Sequence, residues 1–322
     1  MTAPPFEPRA PWWGADLQTV RNILLPRPRE LPGGERLLLT MPDGDRLAAR
    51  LDRPAQSLQR PLVVLVHGLT GTEASVNVMR TAHHLVREGW PVLRLNLRGS
   101  ALSRPTSRGR YHAGRTEDLA EALRQLPADL VRHGVVLVGH SLGGNLVLKF
   151  MGEGPGEAPV LGAVAVSTPL DLAAASERIQ SRRNAVYHLY LLNGLKSEAL
   201  APGAGITLEQ RAAITAARTI REFDDRFVAP CFGFQGAADY YERNSAGRFL
   251  RSIDRPTLLI HAMDDPWIPA ADYEAVDWPS LAAVETAFAP GGGHLGFHDR
   301  ASRVGWHDRV TAAWLARKFS VA

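Results

Sequence analysis

The sequence holds a single cysteine, Cys231, so no internal disulfide can form. That suits a reducing compartment and gives the expectation of a cytoplasmic protein. No apolar run comes near the roughly 20 residues that cross a bilayer, so no transmembrane segment is expected. The stretch from Met1 to Trp13 is rich in Pro and Trp. It lacks a basic region followed by an apolar one, which predicts no cleaved secretory signal. Lysine is scarce, with only Lys149, Lys196 and Lys318, and the +4 net charge comes from arginines interspersed with acids. A basic face for nucleic acid is therefore not expected. One cluster, Arg98, Arg104, Arg108, Arg110 and Arg115, reads as a solvated loop rather than a landing site for an anionic substrate or lipid surface. There is no Cys/His cluster and no glycine-rich phosphate loop, so neither a metal nor a nucleotide cofactor is expected. His83 and His84 are neighbours on a predicted helix and point apart, a poor metal pair.

What is present is an ordinary globular composition over 322 residues, 45% hydrophobic and 22% charged. That suffices for one large α/β domain with an insertion. Residues 1–34 read as irregular. Pro42-Asp43-Gly44 between the apolar runs 36–40 and 46–51 predicts a β-hairpin. Strands are expected over 61–66, 92–97, 135–138, 160–166, 257–261 and 284–288. Helices are expected over 74–88 (ending at Gly89), from a Thr116 cap to about Leu126, and over 303–319. Continuously apolar strands alternating with helices predict a mostly parallel sheet covered on both faces. The alternation breaks between about Pro169 and Arg255. The expected organisation is an N-terminal core over 1–168, a helical cap over 169–255 lying across the carboxyl edge of the strands, and the rest of the core over 256–322.

The chemistry centres on Gly139-His140-Ser141-Leu142-Gly143, directly behind the run 135–138. A sharp strand-to-helix turn forces its central residue into strained backbone, and the flanking glycines let neighbouring backbone pass close. Leu146, Val147, Leu148, Phe150 and Met151 read as a core-facing helix after it. The Ser141 hydroxyl, held at that helix's N-terminus, needs a base and an acid to become nucleophilic. Chain order offers both after later strands. His294, inside Gly291-Gly292-Gly293-His294-Leu295-Gly296, is the expected base, ahead of His298 and His307. Asp265 is preferred over Asp264 as the acid, because a residue before proline is held extended. The Leu142 and Leu69 amides are the expected oxyanion donors, with His67 a turn residue and His140 packed. Phe223-Asp224-Asp225 reads as a buried ion-pair anchor to Arg221 or Arg226 in preference to a substrate contact. The aromatics Tyr187, Tyr190, Phe223, Phe227, Phe232, Phe234, Tyr240 and Tyr241 are candidates to line an acyl pocket.

With these residues in view, the chain resembles the α/β-hydrolases, more narrowly the bacterial YheT-type esterases related to the mammalian ABHD1/ABHD2/ABHD3 proteins. The resemblance rests on Leu17-Gln18-Thr19, His67-Gly68-Leu69-Thr70-Gly71, Asn96-Leu97-Arg98-Gly99, Tyr111-His112-Ala113-Gly114, Gly139 to Asn145, Glu222-Phe223-Asp224-Asp225, Ala238-Asp239-Tyr240-Tyr241, Asp264-Asp265-Pro266 and Gly292 to Phe297. It implies the α/β-hydrolase fold and a serine esterase or lipase acting on carboxylic esters, with Ser141, Asp265 and His294 at the matching positions and a place in lipid metabolism. The N-terminal membrane helix of the mammalian relatives is not seen here, which weakens the case for membrane-lipid turnover. The expected partner is a small-molecule acyl ester, with peripheral lipid contact and oligomeric state left open. Acyl transfer through the same acyl-enzyme, or a low-turnover ligand-binding homologue, are the alternatives. Product analysis with competing alcohols and a fluorophosphonate probe separate them.

Overall fold

The structure, a computed structural model, describes residues 3–24, 26–56, 59–100 and 102–319; residues 1–2 and 320–322 of the outer expected segments lie outside these. Two strands, β1 (Glu35–Thr40) and β2 (Arg46–Asp52), form the antiparallel hairpin, with Pro-Asp-Gly in its turn. They lead into β3 (Leu62–Val66), β4 (Val92–Leu95), β5 (Val135–His140), β6 (Val160–Val166), β7 (Thr257–Ala262) and β8 (Val284–Ala289). The eight strands run in the order β1-β2-β4-β3-β5-β6-β7-β8. Only the β1–β2 and β2–β4 pairs are antiparallel; the remaining pairs, from β4–β3 through to β7–β8, are parallel.

Helices alternate with these strands. They are α1 (Gly14–Leu24), α2 (Val76–Arg87), α3 (Thr116–Arg124), the single turn α4 (Ala128–Val131) and α5 (Leu142–Glu153). Between β6 and β7 come α6 (Leu172–Gln180), α7 (Ala185–Ala199), α8 (Leu208–Ala216), α9 (Ile220–Phe223), a π-helical turn Asp224–Val228, α10 (Ala229–Cys231) and α11 (Ala237–Asn244). The chain closes with the short α12 (Ala270–Glu274) and with α13 (Trp306–Phe319).

The period-2 alternation of side chains explains why the central strands are apolar throughout. Leu62, Val64 and Val66 of β3 join one core with Leu137 of β5 and with Leu119, Leu146 and Phe150 of the helices α3 and α5. Val63 and Leu65 join the opposite core with Val136, Val138, Val78 and Leu85 of α2, and Trp306, Val310 and Trp314 of α13. Helices α7 to α9 have a small core of their own around Leu191, Leu195, Ile214, Ile220, Phe223 and Phe227. The 3-10 turn Ala246–Ser252 packs instead on α5, and its Leu250 belongs to the sheet core.

Four expectations need correction. Residues 1–34 are not irregular throughout, since Gly14–Leu24 form helix α1. Thr116 does not cap α3: it is the helix's first residue, and its hydroxyl donates to Glu153 at 2.6 Å. Strand β4 ends at Leu95, because the Leu97 amide leaves the ladder and donates to His67 Nε2 at 3.1 Å. The arginine cluster is not a solvated loop. Arg98 is buried and grips Asp118 bidentately, at 2.8 and 2.6 Å, and Asp43 and Asp45 at 2.7 Å each. Arg115 adds a 2.9 Å bond to Asp118. These pairs join the hairpin turn, the loop after β4 and the start of α3, and they hold the Arg98 pKa above its ordinary value against the opposing effect of burial.

Candidate active site

Ser141 lies between β5 and α5 with φ 52° and ψ −119°. That backbone conformation is costly for a residue with a side chain. Its amide donates to Val166 O at 2.8 Å, fixing the turn to the neighbouring strand. The tightness of the turn needs its glycines: a Cβ on Gly143 would collide with the Val66 and His67 carbonyls. Gly68 matters in the same way, since a Cβ there would stand 3.1 Å from the Ser141 Cβ. The loop after β3 therefore runs directly beside the serine.

His294 arrives from the loop after β8. Its Nε2 lies 3.0 Å from Ser141 Oγ and its Nδ1 lies 2.9 Å from Asp265 Oδ2. A carboxylate can only accept, so Nδ1 carries the proton and Nε2 is free to accept from the serine. Asp265 follows β7 and is 4% exposed. Its other oxygen accepts the Trp267 and Ile268 amides at 2.8 and 3.1 Å. Burial alone would raise its pKa, but the facing His294 ring, helped by His261 and the Trp267 amide, holds it below the ordinary value. The Trp267 indole stacks on the imidazole with centroids 4.2 Å apart, fixing the ring plane. Asp264 does something else: its Oδ1 accepts the Gly293 amide at 2.8 Å and so pins the histidine loop.

The same loop is held from a second side by α1. Thr19 Oγ1 accepts the His294 amide at 2.8 Å. Gln18 donates to His298 O at 3.2 Å and accepts the His298 amide at 2.6 Å, while Asn22 donates to Leu295 O at 3.2 Å. Leu17-Gln18-Thr19 stood out as a motif, but nothing in the sequence tied it to a loop some 275 positions later.

The remaining candidates fall out by position. The His298 ring sits beside Arg21, 2.9 Å from Nη1, with its pKa lowered to about 2 by burial and by that guanidinium. His307 is buried in α13 next to Asp308. Neither ring bonds Ser141. His67 is a turn residue, Nδ1 donating to Gly68 O at 2.8 Å, and His140 is buried. The Leu69 and Leu142 amides make no hydrogen bond to the described residues and flank Ser141. Among the described residues no three His, Cys, Asp or Glu side chains converge as a metal site requires.

A cavity of about 670 Å³ opens at Ser141 and His294. The sheet's loops line one side, and Leu172, Ile179, Leu191, Leu195 and Ile220 form an aliphatic wall on the other. Of the aromatics expected around a pocket, only Tyr190, Tyr240 and Tyr241 line it. Phe223 and Phe227 are taken up in the small helical core, Tyr187 packs on Trp267, and Phe232 and Phe234 pack on His112. The ion-pair reading of Phe223-Asp224-Asp225 fails. Arg221 and Arg226 are exposed and make no ion pair with either acid among the described residues. The helical turn sends the acids apart: Asp225 accepts the Ala237 amide at the start of α11 (2.9 Å), and Asp224 lines the cavity.

Comparison with known proteins places the fold described above in a family. A family model described as alpha/beta hydrolase fold matches residues 61–301. The YheT protein of Escherichia coli (strain K12), which carries the name of an esterase, is 36% identical over 80% of this chain and 77% of its own. The phospholipase ABHD3 of Mus musculus is 30% identical over 74% of this chain, which spans 58% of that longer protein. Among solved structures, a soluble variant of the Saccharomyces cerevisiae monoglyceride lipase superposes with a TM-score of 0.60 over 92% of this chain and 100% of its own, at 15% identity. The Pyrococcus furiosus esterase Pf2001 gives 0.58 over 92% and 98%, at 16% identity. At such identities the structural likeness speaks for the fold alone.

Proposed function

The chain belongs to the alpha/beta hydrolase fold family, and on that premise we propose that it is a serine hydrolase of carboxylic esters working through an acyl-enzyme on Ser141. The observation that carries this reading is the continuous chain Asp265–His294–Ser141, closed by bonds of 2.9 and 3.0 Å. Ser141 Oγ attacks the ester carbonyl while His294 Nε2 takes its proton. Asp265 holds the imidazole in the right tautomer and stabilises the cation that forms. The developing oxyanion is met by the Leu69 and Leu142 amides, whose freedom from partners among the described residues supports that role. His294 then returns the proton to the leaving alcohol, and a water activated by the same ring releases the acid. Residues 169–255, apart from the turn Ala246–Ser252 that packs on α5, act as a cap over the core formed by 1–168 and 256–322, supplying the aliphatic wall that shelters the acyl chain. Residence in the cytoplasm belongs to the same reading, supported by the lone Cys231.

The test is turnover of p-nitrophenyl butyrate. Ser141→Ala is expected to lower kcat by roughly three or more powers of ten, and wild-type protein is expected to label at Ser141 with a fluorophosphonate. Near wild-type turnover by folded Ser141→Ala protein defeats the reading.

A further inference from the structure

Asp224 has no part in the acyl-transfer steps, yet it is the one carboxyl group among the described residues lining the same cavity. It opens the π-helical turn Asp224–Val228, an irregularity often found at functional sites. Its Oδ2 accepts the Tyr241 hydroxyl at 2.6 Å. Behind Tyr241, Gln180 Nε2 donates to Ser176 Oγ at 2.9 Å, and Ser176 Oγ lies 3.2 Å from the tyrosine oxygen. Tyr241 commits its only proton to Asp224, so Ser176 is the donor in that link. Three donors thus run in one direction and end on the carboxyl, each polarising the next. Oδ1 takes no hydrogen bond from the described residues, and no cation among them pairs with the group. Asp224 is half-buried in a chamber walled by Leu172, Ile179, Leu191 and Ile220, so its second oxygen is left for a group that enters the cavity.

We propose that Asp224 and Tyr241 form a polar subsite that receives a hydroxyl group of the substrate, so that the preferred esters carry a free hydroxyl besides the ester bond. This rests on the ester-hydrolase reading and sharpens it. A hydroxyl suits the subsite better than an ammonium group. Burial pushes Asp224 up to about 7, although the Tyr241 bond pulls the other way, so near neutral pH both protonation forms are present. A hydroxyl donates to the one and accepts from the other, whereas an ammonium serves only the ionised form. The hydroxyl sits on either the acyl or the alcohol half of the ester, and matched substrates tell the two apart.

The experiment compares kcat/KM within two pairs: p-nitrophenyl 6-hydroxyhexanoate against the hexanoate, and 2-hydroxyethyl butyrate against propyl butyrate. Wild-type protein is expected to prefer the hydroxylated member of one pair by about fivefold or more, with the ratio falling toward one in Asp224→Leu and at least halving in Tyr241→Phe. Equal kcat/KM within both pairs for the wild type overturns the proposal, whichever variants fold. A preference left unchanged in folded Asp224→Leu and Tyr241→Phe also overturns it. Turnover of none of the four esters, or turnover surviving Ser141→Ala, brings down the ester-hydrolase reading and this inference with it.

Discussion

Two adjacent carboxylates, Asp264 and Asp265, show how one peptide step separates two tasks. Asp265 is oriented by the Trp267 and Ile268 amides and meets the His294 ring, while Asp264 reaches the backbone of the same loop at Gly293. The first fixes a tautomer and the second fixes a loop. Asp265→Asn, which can donate to Nδ1 and so invert the tautomer, is expected to lower kcat by about three to four powers of ten. Asp264→Asn keeps an acceptor for the Gly293 amide and is expected to cost tenfold or less, as a rough bound for one weakened neutral bond. Steady-state kinetics of the two variants on one ester tests the assignment. Comparable losses would mean that the acids do not divide the work this way.

At the scale of elements, α1 is a strap across the histidine loop. Thr19→Val removes the acceptor of the His294 amide without changing side-chain volume much. It is expected to lower kcat about tenfold with KM nearly unchanged and with a modest fall in thermal midpoint from the unpaired amide, which stopped-flow kinetics and calorimetry read directly. A fall in midpoint with kcat unchanged would make Thr19 a packing residue only. This strap also marks the boundary of what the sequence discloses. The strands were readable because apolar runs and their alternation are local, and Ser141 because its turn imposes glycines on immediate neighbours. His294 and Asp265 could be picked out by their place after late strands. The contacts of Gln18, Thr19 and Asn22 leave no such trace, because hydrogen bonds between distant segments impose no period on either. Asp224 and Asp225 were misread for a related reason: composition suggested an arginine partner, but the π-helical turn and the α11 amide decide where each acid goes.

For the molecule as a whole, Arg98 and its three carboxylates tie hairpin, loop and α3 together. Removing the guanidinium leaves buried Asp45 with backbone amides but no cation, and Asp118 with Arg115 alone, so Arg98→Ala is expected to cost about 3–5 kcal/mol in urea unfolding; a loss under about 1 kcal/mol would show the hub to be solvated. Buried titratable groups set the response to acid. Burial lowers His67 and His261 to about 4, His112 and His140 to about 3, and His298 to about 2. The unfolded chain binds protons at these rings below about 6.5 while the folded chain does not, so stability is lost as pH falls from there. Burial raises Glu198 and Asp224 to about 7 and Asp272 to about 6. These work in the opposite sense, folded protein keeping protons that the unfolded chain has released. Five groups outweigh three, and the urea midpoint is expected to be lower at pH 4.5 than at pH 7; an equal or higher midpoint contradicts the balance. The N-terminal strap carries a consequence of its own. It grips the histidine loop, whereas both faces of the sheet are packed mainly by other helices. Loss of the segment that carries α1 would strip the histidine loop of its bonds to Thr19, Gln18 and Asn22, so that damage at one end of the polypeptide silences chemistry encoded at the other.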